Sequence, residues 1–281
     1  MSLDFYYELP WRATSPHPGA HASVLRGGTE EFSGFDAFIA NPQARHIDVR
    51  ASLLDPLGQW RVRSFRQRAS IGVEIIADFS TSMSYRGEED KQETLARFVE
   101  MVAWSAYRQG DRFGFQAGSD RLFEELTLPS RLYKGGVPEF CTKLRYHRRQ
   151  GSGVRGLLEA CERMGRARSL VFLVSDFHLP SQQITEVLER LAGHDLVPVI
   201  LWDRTEYEAL PDFGLMVLAD PETGEKRRLW MRPALRAAFK ERYDLRKAEL
   251  VRLTAALARN PIFLDAGFVA DDLTRYFLMG G

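Results

Sequence analysis

The sequence has no excess of charge of either sign: 38 lysines and arginines stand against 38 aspartates and glutamates. No global field therefore steers this chain toward nucleic acid or an anionic membrane, and any such contact has to rest on a local patch. Cysteine is scarce. Cys141 and Cys161 form no CxxC pair and have no second pair to complete a zinc site, so they are expected as buried thiols. Long apolar runs are missing too, and nothing approaches the roughly 20 residues of a membrane-spanning helix. The first residues, Met1-Ser2-Leu3-Asp4-Phe5-Tyr6-Tyr7-Glu8, carry neither a basic stretch nor an apolar segment of the secretory kind, which places the protein in the cytoplasm as an expectation.

What is present is ample material for a core. With 281 residues, 44% of them hydrophobic, the chain accommodates one α/β domain of about 150 to 200 residues with extensions. Gly72 to Ala77 is a short apolar run of the kind that forms a buried parallel strand, ended by Asp78. From Lys91 to Gln109, Leu95, Phe98, Val99, Val102, Ala103 and Ala106 recur at three- and four-residue intervals, predicting an amphipathic helix closed by Gly110. Further strands are expected at 112–117, 169–175 and 196–201, with helices at 154–164 and 184–191.

This alternation predicts an α/β fold with a doubly wound, mostly parallel sheet over residues 70–205. Residues 1–69 are expected to supply an N-terminal arm and a strand near Trp60–Phe65, with 12–34 irregular. Residues 206–281 are expected to form a C-terminal extension: a hairpin turning at Asp220-Pro221-Glu222-Thr223-Gly224, and a long helix from Pro233 to about Ala258. Leu235, Ala238, Phe239, Leu245, Leu253 and Leu257 would form that helix's apolar side, and a short helix would end the chain.

The stretch that carries chemistry is Asp78-Phe79-Ser80-Thr81-Ser82. It stands where a buried strand gives way to a loop, the end of an open α/β sheet at which ligands bind. One carboxylate and two hydroxyls at alternating positions converge from a tight turn, and such hard oxygen donors suit Mg²⁺ or Mn²⁺. Asp176 stands at an equivalent strand end. If the two strands are neighbours, a shared cation relieves the repulsion between the carboxylates. Ser152, ahead of the helix near Val154, is a further candidate ligand.

DFSTS, then GSGV, then VSDFH resembles the DxSxS, threonine-loop and aspartate-loop triplet of the metal-ion-dependent adhesion site (MIDAS) in von Willebrand factor A domains. The resemblance implies a divalent cation held by Asp78, Ser80, Ser82, Ser152 and Asp176, its octahedron completed by a carboxylate from a partner protein. Serine stands at 152 where that family has threonine, which keeps the hydroxyl but loses the methyl that stiffens the rotamer. Arg45-His46-Ile47-Asp48-Val49-Arg50-Ala51-Ser52 is similar to a motif of the bacterial DUF58 family, which sets such a domain behind an N-terminal segment. That likeness runs from about residue 30 to about 220. It implies a protein-interaction module working with a MoxR-type AAA+ ATPase in the assembly or maturation of another complex. Around Arg50–Leu53 the chain also resembles the MxaS-like branch of methanol-oxidising bacteria, for which that complex would be methanol dehydrogenase.

Competing signals are weaker. Gly151-Ser152-Gly153-Val154-Arg155-Gly156 is a GxGxxG, yet the residues before it, Lys143 to Gln150, are too charged for the buried strand a dinucleotide site needs. That basic run, with Arg61, Arg63, Arg66 and Arg68, has only sparse interleaved aromatics for a nucleic-acid platform and reads as solvated or salt-bridged charge, or as a field that speeds encounter with an acidic ligand. His178 and Glu74 are candidates for the site on chemistry alone. Glu74, however, lies four residues up the strand, about 13 Å away if fully extended. A Mg²⁺-dependent hydrolase or phosphotransferase using Asp78 and Asp176 is the enzyme alternative. It needs a nucleophile or base that the sequence does not place at the metal, so binding rather than catalysis is the expectation.

Overall fold

The computed structural model describes residues 4–85, 87, 90–203, 210–219, 226–264 and 268–280. Two compact units emerge: Glu8–Ile71 with Gln109–Asp111, and Met1–Tyr7 with Gly72–Arg108 and Arg112–Gly281.

The first unit is a long antiparallel ribbon of β1 (Pro18–Ala37) and β2 (Arg61–Ala69), with helix α1 (Val49–Leu53) between them in sequence. The expectation of an irregular arm over 12–34 is thus corrected. Four register shifts interrupt the pairing, and each one resets the two-residue alternation by which a strand announces itself. The motif at 45–52 has a structural task here. Asp48 caps α1 by accepting from the Ala51 N–H at 2.9 Å and also holds Arg63 Nε at 2.8 Å. The Ser52 hydroxyl accepts from the Arg61 N–H at 2.8 Å and donates to the Asp48 carbonyl at 2.7 Å. Buried His21 Nε2 meets buried Asp111 Oδ2 at 2.7 Å, while Asp111 Oδ1 accepts from the Ile71 N–H.

The second unit is the α/β domain. In chain order it contains β3 (Gly72–Asp78), α2 (Lys91–Gln109), β4 (Arg112–Gly118), β5 (Leu128–Arg131), α3 (Val137–Tyr146), α4 (Arg155–Glu162), β6 (Leu170–Ser175), α5 (Ser181–Arg190) and β7 (Asp195–Leu201). Then follow β8 (Gly214–Ala219), β9 (Lys226–Met231), α6 (Pro233–Thr254), β10 (Ile262–Leu264) and α7 (Ala270–Leu278). Six strands form the central sheet in the order β10-β7-β6-β3-β4-β5, parallel except for β5. The fold is α/β, doubly wound and mostly parallel.

Both faces of the sheet are covered because the side chains of β3 and β6 are apolar in both directions. On one face Ile76, Val171 and Leu173 pack with Leu157 and Cys161 of α4, Ile184, Val187 and Leu188 of α5, and Leu250 of α6. On the other, Phe172 is ringed edge-on by Phe5, Phe98 of α2 and Phe277 of α7, at centroid distances of 5.4 to 6.4 Å. Both cysteines are free and buried, and burial pushes each thiol up to about 12.

The chain winds outward from β3 through α2 to β4, then returns to lay β6 on the other side of β3. The switch point of the topology is therefore the gap between the carboxyl ends of β3 and β6. β8 and β9 pair in antiparallel register, while the turn expected at 220–224 lies outside the described residues. α6 departs from its predicted face: only Leu250 and Thr254 are buried, and Leu245 is exposed. Its apolar residues are spread around the helix rather than gathered in a stripe.

Candidate functional site

Asp78 is the last residue of β3, and parallel pairing of Ala77 with Val174 sets it beside Ser175 at the end of β6. The Ser175 hydroxyl donates to Asp78 Oδ2 at 2.7 Å, and the Ser80 N–H donates to Asp78 Oδ1 at 2.8 Å. The carboxylate is thus fixed by the neighbouring strand and by its own loop. Beyond it the chain takes one 3-10 turn, Thr81–Ser84, that brings the Ser80 and Ser82 hydroxyls within 3.0 Å of each other. Asp176 follows Ser175 directly. Its Oδ1 accepts from the His178 N–H at 3.1 Å and its carbonyl from the Trp202 indole at 2.8 Å. Phe177, next in the chain, has φ +52°, a left-handed backbone unusual for an aromatic residue and typical of loops that aim a functional group.

A third segment clamps the first loop. Gly151 presents its carbonyl to both the N–H and the hydroxyl of Thr81, each at 3.0 Å, and the Gln150 N–H donates to the Phe79 carbonyl at 3.3 Å. Gly151 is held at φ +79°, where a Cβ would lie 2.1 Å from Asp120 Oδ1, so only glycine fits this turn. Of the five predicted ligands, Asp78, Ser80, Ser82 and Asp176 are buried together, whereas Ser152 is exposed on the adjoining loop.

Two cations complete the cluster, and neither was singled out from sequence as part of it. Lys91, the first residue of α2, is buried and sets Nζ 3.5 Å from Asp176 Oδ2. Arg149 is buried with its guanidinium over the Phe79 ring, 4.9 Å from the centroid, and its Nη1 donates to the Met83 carbonyl at 2.6 Å. Its Nε and Nη2 are buried without a partner among the described residues. Burial pulls Arg149 down to about 10 against the opposing pull of Asp78, Asp176 and Asp90. Burial first, and the negative charge of Asp176 second, raise the Asp78 carboxyl above the ordinary carboxylate range.

Among the described residues no three His, Cys, Asp or Glu side chains gather at one point, so a cation here would have to draw on two carboxylates plus hydroxyl oxygens. That donor set is hard and oxygen-only, and it fits Mg²⁺ or Mn²⁺. The other candidates take different places: His178 bonds Asp176 through its backbone N–H, not its ring. His178 is exposed and stacks on Trp202 at 6.3 Å. Glu74 is buried in the sheet interior against Gly114, where an added Cβ would fall 1.9 Å from its Oε2. The GxGxxG is preceded by helix α3 and four residues of coil rather than a strand, so it lacks the strand–turn–helix frame of a dinucleotide site. Gly156 serves packing instead: a Cβ there would lie 2.1 Å from the Arg121 carbonyl oxygen.

The family model described as "Protein of unknown function DUF58" matches residues 44–249. A protein of Paracoccus denitrificans described as uncharacterized and lying in the moxR 3′ region is 34% identical over 95 residues, covering 34% of this chain and 90% of that relative. Uncharacterized proteins of Mycobacterium bovis and Mycobacterium tuberculosis are each 31% identical over 105 residues, or 36% of this chain. The chain spans about a third of the length of those mycobacterial relatives, 33% in each case. Among solved structures, BatB from Bacteroides thetaiotaomicron is 12% identical with a TM-score of 0.44, covering 75% of this chain and 98% of that one. A von Willebrand factor type A protein from Catenulispora acidiphila is 16% identical with a TM-score of 0.36, covering 64% of this chain and 43% of that one. Likenesses this distant do not bear on the site or its ligand.

Proposed function

The chain belongs to the DUF58 family, and from that premise we propose that it is a cation-dependent protein-interaction module that works with a MoxR-type AAA+ ATPase in assembling or maturing another complex. The observation that carries the cation reading is the convergence of Asp78 and Asp176, both fully buried, at adjacent strand ends on the switch point of the sheet. Two carboxylates packed this closely repel unless positive charge lies between them. Asp78, Ser80, Ser82 and Asp176 would hold the ion, and Ser152 would join from the neighbouring loop.

A bound Mg²⁺ or Mn²⁺ would supply an electrophilic centre that accepts a carboxylate oxygen from a partner. This chain's own residues do the rest. Ser175 and the Ser80 N–H fix the rotamer of Asp78, the Gly151 carbonyl fixes the hydroxyl-bearing turn, and the Trp202 indole anchors the backbone of Asp176. The Nε and Nη2 of Arg149, buried without a partner among the described residues, support an anionic ligand, since such a guanidinium gains most from a carboxylate.

The link to a MoxR-type ATPase is supported by the Paracoccus relative's place in the moxR 3′ region. Methanol dehydrogenase as the complex served is the narrowest form of the reading and rests on the likeness at Arg50–Leu53. The cation claim is tested by titrating the purified chain with Mn²⁺ and following free ion by electron paramagnetic resonance. One saturable site is expected, lost in Asp78→Ala with the circular dichroism spectrum retained. Equal uptake by both proteins would refute it.

A further inference from the structure

A lysine is an odd choice for the first residue of a helix. The amino end of a helix carries the positive pole of its dipole, so a cation there is disfavoured, and burying it adds a desolvation cost. Lys91 nevertheless begins α2, is 4% exposed, and sets Nζ 3.5 Å from Asp176 Oδ2. The same Nζ stands over the Tyr85 ring, 5.7 Å from its centroid, and Tyr85 reaches the surface, with 38% of its area exposed. Meanwhile Asp78, Ser80 and Asp176 have no exposed surface. An ion entering from solvent therefore cannot meet the carboxylates without displacing something.

We infer that Lys91 is a built-in occupant of the cation site: its ammonium and a divalent ion are alternative counter-charges for the Asp78–Asp176 pair, and the exchange sets the affinity of the site. The inference rests on the cation reading proposed above and adds the residue that tunes it. The chemistry balances simply, as one cation replaces another beside the same carboxylates and no bond is made or broken. Lys91 suits the part because its charge sits as a compact ammonium on a flexible four-carbon stem; Arg149 lies against the Met83 carbonyl and the Phe79 ring. While the lysine is in, the carboxylates remain paired and the loops remain assembled. When the divalent ion enters, the ammonium is released toward the surface beside Tyr85.

The test is Mn²⁺ affinity and melting temperature of the full chain, wild type against Lys91→Gln. Removing one unit of positive charge at this distance is expected to tighten Mn²⁺ binding by about tenfold or more. In EDTA the variant is expected to melt below wild type, because Asp176 loses a buried partner, and Mn²⁺ is expected to raise its melting temperature by more than it raises that of wild type. Equal Mn²⁺ affinity in both proteins would overturn the role of Lys91 while leaving the cation site standing. Absence of Mn²⁺ binding in both would remove the site itself, and the inference with it. Wild type offers a check independent of any variant: the Lys91 ammonium resonance in ¹⁵N-lysine spectra should be protected in EDTA and should shift to a solvent-exposed position on Mg²⁺ addition. An unchanged resonance at saturating Mg²⁺ counts against the exchange.

Discussion

Buried charge decides what individual residues do in this protein. Glu74 lies inside the sheet against Gly114, and burial pushes it up to about 7, the Ser130 hydroxyl and Arg112 opposing. Because the folded value lies above the ordinary 4.5, the native state holds the proton more tightly than the unfolded chain. The stability this contributes is complete below about pH 4.5 and is lost as pH rises through 7. Glu74→Gln is expected to melt close to wild type at pH 4.5 and above it at pH 8, by on the order of 3 kcal/mol. A gap of constant size across thermal melts at those pH values would contradict this.

Asp78, Ser80, Ser82 and Asp176 were legible as candidates because a carboxylate or hydroxyl at the end of an apolar strand has few other reasons to be there. Lys91 and Arg149 were not. A basic residue in a polar stretch is ordinarily solvated, and only the approach of β6, α2 and the 147–151 segment to one another turns these two inward. The one signal present was local: a lysine in the first turn of a helix is electrostatically out of place.

Among the elements, α2, β3, β4, β6 and β7 match their sequence patterns within a residue or two, because buried parallel strands and amphipathic helices repeat one period without interruption. β1 was missed where its register shifts, and α3 because its buried residues, Val137, Phe140, Cys141 and Leu144, are set among charged neighbours. β10, three residues long, adds to the sheet edge beside Val199–Leu201 and is too short to carry a pattern.

α6 has a role its sequence pattern did not suggest. Arg246 reaches from it to the carbonyls of Phe177 and Leu179 at 2.8 and 2.6 Å, and Glu249 binds Arg246 and the Ser181 hydroxyl. The loop carrying Asp176 is therefore held from the C-terminal extension. Arg246→Ala is expected to destabilise the chain by about 1–3 kcal/mol and to speed amide hydrogen exchange in residues 177–180 more than in β6. Unchanged exchange in that loop would show the contact to be incidental.

At the scale of the molecule, the doubly wound sheet explains why one motif at residue 78 and another at residue 176 form a single site. β3 is laid first and flanked later, so the two strand ends that meet at the switch point come from distant parts of the sequence. Nothing in that geometry selects a partner. Among the described residues no helix is long and apolar enough to cross a membrane, and the first unit exposes Ile39, Leu53, Leu54, Leu57 and Trp60.

The central claim is that the Asp78–Asp176 site captures a partner through a divalent cation. Its most direct test is retention of purified MoxR-type ATPase on the immobilised full chain in Mg²⁺ and in EDTA, with Asp78→Ala alongside. Retention by wild type in Mg²⁺ is expected, with release both in EDTA and by the variant. Equal retention under all three conditions would contradict it.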